Sequence, residues 1–171
     1  MEKVVVSDTN IFIDLIEIGL IKAFFRCGLQ IHTTAMVVDE IKDDAQREEL
    51  LSFQNMIVKK YKEADYSKVY NYYLEARRCS NLSITDCSVL LYAKELGCTL
   101  VTNDGKLRNV ALDEGVDVKR LLSIIMYMVE SSVIDADVAK KAMESLMETN
   151  SRAPVELIVK FLKKLEEGNM M

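Results

Sequence analysis

The chain has 171 residues, half of them hydrophobic and 29% charged, with a net charge of −5 at pH 7 and a pI near 5.1. That length suits one compact domain rather than two, and the composition excludes a disordered or collagen-like chain. The longest near-continuous apolar run, 121–129, is too short to cross a bilayer, and MEKVVVSD lacks a signal peptide's apolar core and cleavage site, so a cytoplasmic protein with no membrane partner is expected.

In chain order, KVVVS (3–7) reads as a strand, and Asp8 follows it at the start of the helical pattern TNIFIDLIEIG. A second strand is expected at 29–33 and a helix after it, TTAMVVDEIK, carries Glu40 beside Asp39. A weaker strand at 55–58 precedes KKYKEADYSKVYNYYLEARR, where Tyr66, Tyr70 and Tyr73 share a helix face with Arg77 four residues on. SITDCSVLLYAKELG then puts Asp86 in the first turn of a long helix, three residues after Ser83. A fourth strand, 99–102, runs into Asn103 and Asp104, and Asp104 opens the helix KLRNVALDEG; a fifth strand is expected at 116–119. Gly19, Gly28, Gly97 and Gly115 each follow a helical stretch, where a left-handed cap is wanted.

From residue 121 the strand signal ends, and 121–134, 135–149 and 154–168 read as three helices, with Pro154 where the third begins. The alternation predicts an α/β fold: three layers, α/β/α, around a five-stranded, mostly parallel sheet over residues 1–120, plus C-terminal helices over 121–171 that pack on or extend the same domain. Six of the nine methionines lie in this tail, either as packing surface or as the contact face of a homodimer.

Several chemistries drop out. The four cysteines form no CxxC pair and read as buried thiols of a reducing compartment. The single histidine, His32, sits in a strand-like stretch and suits a core position better than a nucleophile's base. Neither GxGxxG nor GxxxxGK[ST] occurs.

Acids remain. In a parallel sheet the strand ends that follow the chain direction meet at one edge, where ligands bind, and Asp8, Glu40, Asp86 and Asp104 all fall after strands or near helix starts. Each has an ordinary alternative reading: Asp8 and Asp104 as N-caps, SITD as a capping box, Glu40 as a solvated acid. Read together, carboxylates crowded at one edge require protonation or a cation among them, and oxygen-only donors favour Mg²⁺ or Mn²⁺ over zinc.

The blocks VVVSDTN, VVDEI, SITDCSVLLYAKELG and LVTND, in this order over residues 1–120, resemble the PIN domain, a nuclease-type domain found in toxin ribonucleases of toxin–antitoxin pairs and in RNA-processing enzymes. The resemblance implies that Asp8, Glu40, Asp86 and Asp104 bind one or two divalent cations, Mg²⁺ or Mn²⁺, and form the catalytic quartet of an RNA-hydrolysing endoribonuclease. In that scheme Asp8 bridges the ions, Asp86 and Asp104 complete their shells, and Glu40 holds the second ion or orients the water. Asn10 and Thr102 match positions that support the acids by hydrogen bonds, with Asn103 beside them. An antitoxin partner is implied if the chain is toxin-like, but the helical ending from residue 121 differs from that of the short toxins. The alternative is a PIN-like module that binds nucleic acid or protein without cutting.

Net charge is the main objection, because nucleic-acid binders usually carry a basic footprint. Residues 1–120 hold 16 basic and 19 acidic residues, and setting aside the four proposed ligands leaves that stretch at +1. Lys106 and Arg108, just after Asp104, are placed either to meet a phosphate or to be solvated. The tyrosine-rich helix either packs on a neighbour or stacks on unpaired bases. A receiver domain would need an acidic pair after the first strand, and a haloacid-dehalogenase phosphatase would need a second aspartate where Asn10 stands.

Overall fold

The run VVVS folds as β1 (Val4–Ser7), buried along almost its whole length, as a strand covered on both faces must be. It lies at the centre of a computed structural model that describes residues 3–169 and, of residues 77–79 and 169, the backbone alone. Two helices, α1 (Thr9–Glu17) and α2 (Ile21–Arg26), lead to β2 (Gln30–Thr34); α3 (Ala35–Glu40) and α4 (Asp44–Leu51) lead to β3 (Ile57–Lys59). The long α5 (Glu63–Cys79) and α6 (Ile84–Leu96) return the chain to β4 (Thr99–Val101), and α7 (Gly105–Asp113) joins it to the short β5 (Val118–Lys119). Three helices follow: α8 (Leu121–Glu130), α9 (Ala136–Thr149) and α10 (Val155–Asn169).

All four strand pairings are parallel and the order is β3-β2-β1-β4-β5. Val5 pairs with Ile31 on one side and Thr99 on the other. The chain steps outward from β1 to β3, then returns to β4 and β5, so right-handed crossovers place α1 to α4 on one face and α5 to α7 on the opposite one. This is the expected three-layer architecture, with a sheet parallel throughout rather than mostly so.

Two strands are shorter or displaced relative to the sequence pattern, each for a hydrogen-bonding reason. Asn55 stays in the loop because its side-chain amide donates to the Phe25 carbonyl (2.9 Å), so β3 starts at Ile57 and reaches Lys59. Val116 directs its N–H to the Ala111 carbonyl (2.9 Å), closing α7, which leaves only residues 118 and 119 in β5. Gly97 meets its expectation: it caps α6 in the left-handed region at φ 61°, where a β-carbon would be strained.

The tail helices share the core. Leu121, Ile124, Ile125 and Met128 of α8, Met143 and Leu146 of α9, and Ile158 and Phe161 of α10 are buried in one cluster with the strand residues. Among the described residues no helix is long and apolar enough to cross a membrane. Cys27, Cys87 and Cys98 are buried; the Cys79 and Arg77 side chains lie outside the described residues. His32 is a core residue, its Nδ1 within hydrogen-bonding distance of the Tyr92 hydroxyl (2.9 Å), and burial lowers its pKa. The tyrosine helix is divided. Tyr72 packs inward and donates to Glu114 (2.7 Å), whereas Tyr66 and Tyr70 stand half-exposed.

Candidate active site

β1 and β4 are neighbours, and it is between them that the strand order changes direction, the place where an open parallel sheet leaves a crevice beyond its strand ends. Asp8 leaves β1 there, with its N–H bonded to the Val101 carbonyl of β4 (3.0 Å). Its side chain is only 5% exposed. One oxygen accepts from the Thr9 N–H (2.8 Å), and the other accepts from the Thr102 hydroxyl (2.9 Å). The same Thr102 oxygen accepts the Asp104 N–H (3.1 Å), fixing the turn that starts α7.

The remaining acids arrive by different routes. Glu40 is the last residue of α3, and its carboxylate accepts a 2.6 Å bond from the Thr9 hydroxyl. A hydrogen-bonded chain therefore runs from Glu40 through Thr9, Asp8 and Thr102 to the backbone of Asp104. Asp86 arrives because α6 runs antiparallel to the strands, which puts its first turn at their carboxyl edge. There it completes a capping box with Ser83, each side chain accepting the other's backbone N–H at 3.0 Å. Asp104 caps α7 by accepting from the Leu107 N–H (2.9 Å).

Electrostatics shows that the four sites are neighbours. The Asp8 pKa is pushed up to about 6, mainly by burial and next by the Asp86 charge, with Glu40 adding and the Thr102 and Thr9 bonds opposing. Asp86 is also raised, first by burial, with Asp104 and Glu40 adding to it against the Ser83 bonds. Three of the acids thus serve as helix caps, and the Asp86 carboxylate feels Glu40 and Asp104 and acts on Asp8.

Among the described residues no three Asp, Glu, His or Cys side chains stand close enough to hold a metal ion as they are. As they stand, the carboxylates of Asp8, Asp86 and Asp104 accept from nearby backbone amides, and those of Asp8 and Glu40 from threonine hydroxyls. The donor chemistry still fits a hard cation. All four groups are oxygen ligands, and the buried carboxylate of Asp8 is held in its costly charged form beside two further acids.

Sequence comparison adds the family. The family model described as "DUF3368: PIN domain" matches residues 4–167. The chain belongs to the PIN domain family. PIN domains are in general nucleases and typically use divalent metals. Among solved structures, this PIN domain is similar to a PilT N-terminus domain protein from the hyperthermophilic archaeon Sulfolobus solfataricus P2, with 16% identity and a TM-score of 0.46, over 74% of this chain and 94% of that one. No curated protein matches the sequence.

Three residues of this PIN domain take positions that sequence reasoning did not assign. Thr9, not Asn10, binds an acid; Asn10 is exposed at the cleft, and its side chain makes no hydrogen bond among the described residues. Asn10 lines the same cleft as Asp104, one residue beyond Thr9 in α1. Asn103 serves a different neighbour, its side-chain oxygen accepting the Leu121 N–H (3.0 Å) at the start of α8. Lys106 is exposed, and Arg108 is half-buried on a cleft beside Asp104 that Arg120 and Arg152 also line. A threonine directly after the strand-end aspartate was the available signal for Thr9. Nothing local marked Arg120 or Arg152.

Proposed function

We propose that the protein is a divalent-metal-dependent endoribonuclease, with Asp8, Glu40, Asp86 and Asp104 as metal-binding and catalytic residues and Mg²⁺ or Mn²⁺ as cofactor. The observation that supports this most is the continuous chain Glu40–Thr9–Asp8–Thr102–Asp104, which gathers acids from three separate segments around one buried carboxylate. Repulsion within that group has no structural benefit that a pair of neutral caps would not give; a cation gives it one.

A bound divalent ion supplies Lewis-acid polarisation of the phosphate and a lower pKa for attacking water. The chain's own residues do the positioning. Asp8 presents one lone pair per oxygen beyond its bonds to Thr9 and Thr102, whose donors fix the plane of the carboxylate. Glu40, held by the Thr9 hydroxyl, is poised to accept a proton from water or to complete the metal shell. Asp86 lies in the first turn of α6 and Asp104 is the N-cap of α7, so both carboxylates are set by helix starts. Arg108, on the cleft beside Asp104, and the exposed Lys106 are available to meet a phosphate. Hydrolysis adds water across one P–O bond of the RNA, the proton from water leaving to a carboxylate or solvent and the departing ribose oxygen taking one up.

The test is cleavage of labelled single-stranded RNA with Mg²⁺ or Mn²⁺. Wild-type protein should cut, EDTA should stop it, and Asp8→Asn should reduce the rate by about a hundredfold or more, as loss of a central metal ligand does. Undiminished cutting by a folded Asp8→Asn protein would sink the scheme. The non-catalytic alternative draws on the carboxylates' full engagement as caps, and it predicts metal-independent RNA or protein binding with no cleavage by the wild type.

A further inference from the structure

Beside Asp104 lies a cleft of about 500 Å³, bounded by α1, α7, the start of α8 and the loop between α9 and α10. Its size falls in the ordinary range of small-ligand pockets, about 300 to 1,000 Å³. Arg108 and Arg120 both line it and both are half-buried. The Arg108 guanidinium folds back over the first turn of α7, its Nη2 3.9 Å from where a β-carbon at Gly105 would stand. Burial and the nearby Arg108 charge both disfavour the protonated form of Arg120.

Arg152 reaches the same cleft from the far end of the sequence. The loop that carries it is pinned by Asn150, whose side-chain oxygen accepts the Arg152 N–H (2.9 Å) and whose amide reaches Asp14 of α1 (3.5 Å). None of these arginines forms an ion pair with a described residue. Asp14 and Asp104 also border the cleft, but neither pairs with these arginines: Asp14 is buried and bonded by the Asn150 amide, and Asp104 caps α7. Guanidinium groups that share a cleft and form no ion pair are stabilised by an anion between them, and their flat fork suits phosphate oxygens.

We propose that Arg108, Arg120 and Arg152 form a phosphate-binding subsite that grips the RNA backbone beside the scissile linkage, so that the C-terminal helices complete the substrate groove. The proposal rests on the ribonuclease reading for the identity of the ligand. It assigns the tail a role in binding: the α9–α10 loop delivers a charge that residues 1–120 lack at that place. It also bears on the acidic net charge, because three arginines in one cleft supply a local basic footprint that the net charge conceals.

The full-length protein is tested with a fluorescein-labelled single-stranded RNA, first by anisotropy in EDTA, where no metal-dependent cutting occurs, and then by cleavage in Mn²⁺. Arg120→Gln and Arg152→Gln should each weaken binding about tenfold, the loss of one charge-assisted contact. Each should also lower the slope of log Kd against log salt by about 0.7, and raise KM more than it lowers kcat. Arg152→Lys should keep the slope, and Lys140→Gln on the outside of α9 should match wild type. If Arg120→Gln lowers the melting temperature, the exposed Arg152→Gln decides alone. Unchanged affinity and slope in Arg152→Gln overturn the subsite, as does an oligoglutamate peptide that binds in an Arg152-dependent way while RNA does not. Arginine-dependent RNA binding by a wild type that never cuts would uphold the subsite and overturn the nuclease reading alone.

Discussion

Asp8 holds a carboxylate at 5% exposure beside Asp86 and Glu40, and its pKa of about 6 against an ordinary 3.8 expresses the cost of keeping it charged. Such a shift corresponds to roughly 3 kcal/mol, a large share of the 5 to 15 kcal/mol that stabilises a typical domain. The sign follows from linkage: the unfolded chain ionises first, so the native state loses stability as pH rises from about 4 to about 6 and stays at the lower level above that. Asp14, also raised to about 6, acts in the same direction. Metal-free protein is therefore expected to melt at a higher temperature near pH 5 than near pH 7.5. Asp8→Asn should raise the pH 7.5 value toward that level, and Mg²⁺ or Mn²⁺ should raise the wild type at pH 7.5 but not at pH 5. Scanning fluorimetry across pH reads all three; a wild-type profile that Asp8→Asn leaves unaltered would contradict the burial argument. The identity of this aspartate was legible from a strand followed by an acid. Its Thr102 partner was read only through family likeness, and Thr9 was missed, because a bond across 31 residues to Glu40 leaves no local trace.

At the scale of elements, α6 shows how one feature serves fold and site together. SITD is a capping box, as the spacing required, and the box also aims Asp86 at the carboxyl edge of the sheet. The two roles separate by mutation. Ser83→Ala removes the hydroxyl that accepts the Asp86 N–H and should cost about 1 kcal/mol, or roughly 2 to 4 °C in Tm. Asp86→Asn keeps an oxygen for the cap and should leave Tm nearly unchanged while abolishing metal-dependent cutting. Equal stability losses from both variants would mean that the carboxylate matters only to the helix. Periodicity located the central strands within a residue because β1, β2 and β4 are β-branched-rich and buried along nearly their whole length. It misplaced β3 and overextended β5, since at sheet edges single hydrogen bonds from Asn55 and Val116 decide where pairing begins.

Across the whole molecule, the tail is part of the packing as well as of the cleft. Leu121, Ile124, Ile125 and Met128 are buried by α8 in the common core, and at about 1.5 to 3 kcal/mol for each such side chain their removal rivals the entire stability of a domain. A chain ending at residue 120 is thus expected to aggregate or to lose its cooperative melting transition, measured by circular dichroism beside the full chain; a soluble fragment with an unchanged transition would show that the two parts fold separately. Sequence alone determined the alternation of strands and helices, the parallel sheet, and the placing of Asp8, Asp86 and Asp104 at helix starts, because periodicity, caps and turns are written in neighbouring residues. Only the tertiary structure decided that Thr102 bonds Asp8 across 94 positions, that Thr9 rather than Asn10 steadies Glu40, and that Arg108, Arg120 and Arg152 share one cleft. Those meetings depend on the path of the chain through strand order and helix packing, which brings together residues whose local patterns carry no record of each other.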